Sequence, residues 1–224
     1  VTSRKRAVKD EQKQERRQAL LDVTWELFQT MPYQTLTMHD VAERAGLAKG
    51  TIYLYFKTKE ALFLSLQEQQ LQAWFDEVDA RLQVPPEASE DSIQHVIRVL
   101  RETLDRRPAF TRLLAIMHSV LEQNIDFATA LHFKQILLMR VSRTGTLLET
   151  QLPFLTMGQG AQVLLRIHAL VIGLQQLADP APIIQRVLNE RQMQIFAIDF
   201  AHEFSETVRA LLYGLQSIAS RSTT

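Results

Sequence analysis

Between Lys49 and Lys59 the chain gathers side chains whose chemistry suits the surface of a nucleic-acid duplex. Lys49 can donate to guanine O6 or N7, Thr51 can reach a base edge or a phosphate, and Leu54 can pack on a thymine methyl. Tyr53 and Tyr55 offer phenolic hydroxyls to phosphate oxygens. Lys59 opens a further helix and adds an ammonium beside that helix's free amides. Phosphate contacts set register, whereas base-edge contacts carry sequence information.

Two short helices and a turn would hold these groups. Met38, Val41, Ala42 and Ala45 fall at i, i+3, i+4 and i+7 and bury one helix face, with His39, Asp40, Glu43 and Arg44 left wet. Thr37, with Asp40 three residues on, has the form of a capping box and starts that helix. Gly46 follows the last apolar position, where a positive φ ends a helix and turns the chain. A second helix is expected over 48–55, burying Leu47, Ile52 and Phe56. It leaves Lys49, Thr51, Tyr53, Leu54 and Tyr55 outside. Helix, glycine turn and helix is the arrangement by which a small domain presents one helix to the major groove.

Through the run T-x-x-x-V-A-x-x-A-G-L-A-K-G-T-I-Y-x-Y-F-x-x-K-E-x-L, residues 13–62 resemble the DNA-binding domain of the TetR family of bacterial transcriptional repressors. The resemblance implies that the family's DNA contacts fall on Thr37, His39, Lys49, Thr51, Tyr53, Tyr55 and Lys59, to which the residue chemistry adds Leu54. Two positions depart from the common pattern. Ala48 stands where serine is frequent, so the recognition helix loses a side-chain cap worth typically ~1 kcal/mol. Leu54 stands where a polar or larger aromatic residue is common.

The expected fold is all-α: an N-terminal three-helix helix-turn-helix domain plus a C-terminal helical bundle forming a dimer. Its parts are a flexible basic arm over 1–12 with Arg4, Lys5, Arg6 and Lys9, a DNA-binding domain over 13–60, and a ligand-binding and dimerisation domain over 61–224. Ala19, Leu20, Val23, Thr24, Leu27, Phe28 and Met31 make the inner face of the first helix, which ends before Pro32. Further helices are expected over 58–82, 89–106, 108–123, 126–151, 158–178 and 199–219. No hairpin dipeptide or sustained alternation signals a strand. The formal charge of zero conceals an asymmetry: residues 1–59 hold 11 Lys/Arg against 7 Asp/Glu, and the remainder 14 against 18. The basic end is the end with the duplex chemistry.

A bundle this long needs a task beyond supporting a short helix. Dimerisation is one, because two recognition helices related by a two-fold axis read a palindrome with half-sites about one helical turn, ~34–36 Å, or a multiple apart. The dimer signal lies in the last two long helices, at Leu164 and Val171 in one and at Phe204, Thr207, Val208, Ala210, Leu211, Gly214 and Leu215 in the other. The resemblance implies the second task, a small-molecule effector held within the bundle. Trp74, Phe110, Leu114, Met117, Leu121, Phe127, Leu131 and Phe154 suit an apolar pocket, with His118 and His168 as its few polar groups.

Other classes fit poorly. The chain has no cysteine, hence no disulfide framework or thiolate metal site. No metalloprotease-type histidine pair, Gly-rich phosphate loop or nucleophile elbow is present, so no enzyme, cofactor or metal is expected. The N-terminus has no secretory pattern, and the most apolar stretch, 161–178, carries Arg166 and His168. A soluble, cytoplasmic protein that binds an operator duplex as a homodimer and answers to an effector is the expectation. A helix-turn-helix architectural protein without effector is the alternative.

Overall fold

The computed structural model describes residues 2–86, 89–123 and 125–222, with side chains 2–10 and 222 outside that description. Among the described residues the ordered elements are all helical, so the expected all-α class holds. The chain divides into two compact units: residues 1–69 with 117–127, and residues 70–116 with 128–224.

The first unit begins with α1, Thr2–Thr30, followed by α2, Met38–Arg44, a single 3-10 turn at Ile52–Leu54, and the first turns of α3, Lys59–Leu82. The backbone of 2–12, expected as a flexible arm, is the beginning of α1; no proline or glycine interrupts it. The side chains of Arg4, Lys5, Arg6 and Lys9 lie outside the described residues. Leu20, Leu21, Thr24 and Phe28 form the buried face of α1, while Ala19 is exposed, so that face is turned slightly from the expected one. Phe63 closes the core with its ring edge-on to Phe28 at 5.4 Å and to Tyr33 at 4.8 Å. Such edge-to-face pairs add about 0.5–1.5 kcal/mol beyond area burial. A π-helical turn, Met117–Leu121, also belongs to this unit.

The second unit contains the rest of α3, then α4 (Ser92–Asp105), α5 (Pro108–Ile116), α6 (Phe127–Gln151), α7 (Gln159–Ala178), α8 (Pro182–Leu188) and α9 (Phe200–Ser222). The expected 108–123 helix is interrupted, because its last stretch takes π geometry at Met117–Leu121. α8 and a 3-10 turn at Gln194–Phe196 fall where no helix was expected. α4 packs on α9, α5 on α7, and α7 on α9. By length and composition α7 is apolar enough to cross a membrane, but Val163, Leu164, Ile167 and Val171 on it are buried within this unit.

Polar seams fix α3 against its neighbours. Asp79, buried to 1% exposure, accepts from the Thr144 hydroxyl and pairs with Arg143 Nε at 2.8 Å, and Gln151 Nε2 donates to the Leu82 carbonyl at 2.7 Å. On α4 and the loop after it, Arg81 meets Glu102 at 2.9 Å and Glu77 meets Arg107 at 2.7 Å. A buried carboxylate persists only when paired and hydrogen-bonded, so these contacts specify which faces meet. α6 and α7 approach backbone to backbone: a Cβ built on Gly160 would lie 2.0 Å from the Gly145 carbonyl oxygen. Only glycine fits that crossing.

Candidate nucleic-acid interface

The turn that carries the candidate contacts is built from its two ends. At the start of α2 the capping box forms as expected, Thr37 N–H donating to Asp40 Oδ2 at 2.7 Å and Asp40 N–H to Thr37 Oγ1 at 3.2 Å. The Thr37 hydroxyl also donates to Asp40 Oδ2 at 2.8 Å. These bonds hold the Asp40 carboxyl below the usual carboxylate range. They also give the Thr37 proton to the cap, which makes that side chain first a positioning group. Gly46 has φ 67°, the left-handed conformation the turn requires.

The expected second helix over 48–55 is corrected. Residues 49–51 form a turn, with Thr51 N–H on Ala48 at 2.8 Å, and Ile52–Leu54 wind as one 3-10 turn, with Leu54 N–H on Thr51 at 3.1 Å and Tyr55 N–H on Ile52 at 3.0 Å. No side chain caps it. Gly50 and the run Thr51, Ile52, Tyr53 have low helix propensity, and Ala48 supplies no cap oxygen. The inward positions still anchor it: Ile52 and Phe56 are buried, and the Arg17 guanidinium lies 5.0 Å from the Phe56 ring centre and donates to Ser65 Oγ at 2.8 Å. Leu47, expected inside, is half-buried.

The outward positions are displayed. His39 and Lys49 are exposed, Thr51 and Tyr55 are half-buried, and Tyr53 is exposed. Leu54 stands 75% exposed, a bare isobutyl group beside a lysine and two phenols. Lys59 differs from the rest: it is half-buried, its Nζ donates to the Tyr33 carbonyl and lies 3.9 Å from the Tyr33 ring centre. Burial lowers its pKa against the pull of Glu60 and Asp40. Tyr33 is pushed up to about 12, first by burial and then by the Glu60 carboxylate to which its hydroxyl donates at 3.3 Å. Lys59 therefore ties the start of α3 to the loop before α2.

The effector candidates fall in both units. Trp74, Phe110 and Leu114 are buried in the second unit, with Trp74 5.8 Å from Phe110 and its indole N–H on Thr103 at 3.1 Å. Phe154 and His168 are half-buried in that unit, and Leu131 is exposed. Met117, His118, Leu121 and Phe127 belong to the first unit. Met117 and Leu121 are buried there, but Phe127 is 81% exposed, and exposed His118 meets Glu122 at 2.9 Å through Nδ1. The interior role expected for His118, Phe127 and Leu131 is corrected: helical periodicity names a face without naming what covers it. None of the ten lines the cavity of about 610 Å³ between Ile183 and Met193, or that of about 590 Å³ between α4 and α9.

The dimer candidates split in the same way. Leu164, Val171, Phe204 and Val208 are buried within their own unit and so are corrected to core residues. Thr207, Leu211 and Leu215 are half-buried, and Ala210 and Gly214 are exposed. The apolar surface that sequence reading missed lies at Leu165, Leu177 and Ile218, and along 181–197, where Ile183, Ile184, Val187, Ile195 and Phe196 are exposed. Pro182 followed by two isoleucines was the available signal, a helix start with an apolar face.

Comparison with known proteins agrees in both units. The family model for bacterial regulatory proteins of the tetR family matches residues 20–66, and that for the tetracyclin repressor-like C-terminal domain matches residues 68–219. The HTH-type transcriptional repressor KstR of Rhodococcus jostii is 32% identical over 101 residues, 45% of this chain and 46% of that protein. The chain spans about half the length of the curated relatives it matches. In fold it is similar to the fatty acid degradation regulator FadR of Bacillus halodurans, with TM-score 0.57 at 16% identity, covering 89% of this chain and 95% of that one. FadR of Bacillus subtilis, solved in complex with stearoyl-CoA, gives TM-score 0.51 at 18% identity, covering 87% and 96%.

Proposed function

This chain belongs to the tetR family of bacterial regulatory proteins, and from that premise we propose that it is a DNA-binding transcriptional repressor. The observation that carries the reading is the Lys49–Tyr55 turn, whose inward Ile52 is buried while Lys49, Tyr53 and Leu54 are displayed. Lys49 addresses a base edge, Leu54 a thymine methyl, and Thr51, Tyr53 and Tyr55 the phosphates. His39 and Thr37 stand at the start of α2, where the exposed His39 side chain is the group left for a phosphate, Thr37 being engaged in the cap. Lys59 holds this surface in place and has ammonium protons left for a phosphate.

The protein acts as a homodimer in the cytoplasm. Thr207, Ala210, Leu211, Gly214 and Leu215 on α9 form the shared surface, supported by their incomplete burial in the single chain. A small apolar molecule is the effector, with Trp74, Phe110 and Leu114 nearest in character to a pocket wall. The FadR fold solved with stearoyl-CoA supports the reading that such a scaffold takes a small-molecule ligand. Effector and operator are linked: a ligand that favours a state with misaligned recognition turns weakens operator binding, and operator weakens ligand binding by the same factor.

Footprinting on genomic fragments tests the reading. One protected palindrome, lost in Lys49→Ala, is the expected result. Diffuse coverage of all fragments would favour the architectural protein instead.

A further inference from the structure

α4 and α9 lie side by side in the second unit, and a groove of about 590 Å³ runs between them. Its α4 wall presents Arg98 and Arg101, three residues apart; its α9 wall presents His202, Ser205, Glu206 and Arg209, at i, i+3, i+4 and i+7. Each set falls on one helix face. The periodicity of two helices therefore brings three guanidiniums and an imidazole to one groove that is lined by a single carboxylate.

The cations are held to different degrees. Arg98 is forked onto Glu90, which does not line the groove, with both bonds at 2.9 Å. Arg209 meets Glu206 at 2.7 Å, an exposed pair of little strength. Arg101 forms no hydrogen bond or ion pair among the described residues. Its field reaches Asp105, whose carboxyl is raised by burial while Arg101 pulls it the other way. Ser205 gives its hydroxyl proton to the Ala201 carbonyl at 2.7 Å, so it faces the groove as an acceptor. His202 sits in the first turn of α9, its N–H capped by Asp199 at 2.8 Å.

We propose that this groove binds a diphosphate group, free or carried by a nucleoside. A guanidinium fork matches phosphate oxygens in a plane, and such charge-assisted pairs are the strong ones. A carboxylate monoanion would answer Arg101 alone. A diphosphate carries two anionic centres and so can answer a cation on each wall, Arg101 and Arg209, displacing the weak Glu206 contact. The groove is open to solvent and its guanidiniums are spread over two helices, an arrangement for a ligand with more than one anionic centre.

Isothermal titration of the full chain with pyrophosphate, ADP and inorganic phosphate, at fixed pH and ionic strength, tests it. Saturable binding of pyrophosphate or ADP is expected. Arg101→Gln should weaken it ~10-fold, Arg101→Lys less, and Arg209→Gln by a similar factor, since one charge-assisted contact corresponds to about a tenfold change in Kd. Lys49→Ala, on the other unit, should leave it unchanged. Equal affinity for pyrophosphate and ADP assigns recognition to the diphosphate alone; tighter ADP assigns a share to the nucleoside. Three results would overturn the proposal: no binding of either at millimolar concentration, binding that Arg101→Gln leaves intact, or inorganic phosphate bound as tightly as pyrophosphate. None of these readouts involves operator DNA, so they stand apart from the repressor reading.

Discussion

The Lys49–Tyr55 turn and helix α9 both carry a regular mix of apolar and polar side chains, yet they use it in opposite ways. In the turn and just after it two apolar anchors, Ile52 and Phe56, are buried, while Lys49, Tyr53 and Leu54 are exposed and Thr51 and Tyr55 half-buried. In α9 the strongest apolar residues, Phe204, Val208 and Leu212, complete the chain's own core, and the surface that remains is mixed. A displayed surface can thus be small and weakly helical when its scaffold is well packed, whereas a bundle helix must satisfy its own core before it can serve a partner.

The largest effect that would sharpen this contrast comes from the α9 core. Phe204→Ala removes a fully buried ring and should cost about 3–5 kcal/mol in denaturant unfolding, against less than about 0.5 kcal/mol for Leu54→Ala. Comparable losses would erase the distinction between core and display. Lys49→Ala should leave the melting temperature in place and lower affinity for a selected operator by about 1–3 kcal/mol, with discrimination relaxed at one base. Lys59→Ala should do both things weakly: about 1 kcal/mol of stability from its contacts with Tyr33, and a reduction of the salt slope by roughly one phosphate contact. A variant that changed the salt slope without changing stability would show Lys59 to be a DNA contact only.

A fourth effect belongs to the bundle. Hydrogen bonds from Arg98 hold Glu90 down at about 2. A lowered carboxyl contributes stability that is fully present above its unfolded value of 4.5 and lost as pH falls through about 2. Glu90→Gln should therefore be less stable than wild type at neutral pH, with the difference shrinking over that acid window. A small gain is expected of Ala48→Ser, which places a hydroxyl where the chain enters the turn and should stabilise it by no more than about 0.5–1 kcal/mol, read by denaturant unfolding.

What was legible in the sequence divides by range of interaction. Thr37, Asp40 and Gly46 act on their own neighbours, so the cap and the glycine turn were readable residue by residue. Outward display of Lys49, Tyr53 and Leu54 followed from the inward positions of Ile52 and Phe56. The helix type over 48–55 was not readable, because Gly50, Thr51 and an uncapped start leave a balance that tertiary packing decides. Phe204 and Leu164 show the deeper limit: an apolar stripe says that a face is covered, while the choice between the chain's own core and a second copy lies in contacts distant in sequence. The exposure of Phe127 and His118 was hidden for the same reason. α8 was missed because seven residues between short turns give periodicity too little length to register.

The central claim, that the exposed turn reads DNA, is tested most directly by selecting a duplex from a random pool with the wild-type chain and titrating it with wild type and Lys49→Ala across salt concentrations. A selected palindrome, bound tightly by wild type and about 10–100-fold more weakly by Lys49→Ala with altered preference at one symmetric base, is the predicted result. Selection of no sequence, or equal binding by the two proteins at every salt concentration, would contradict it.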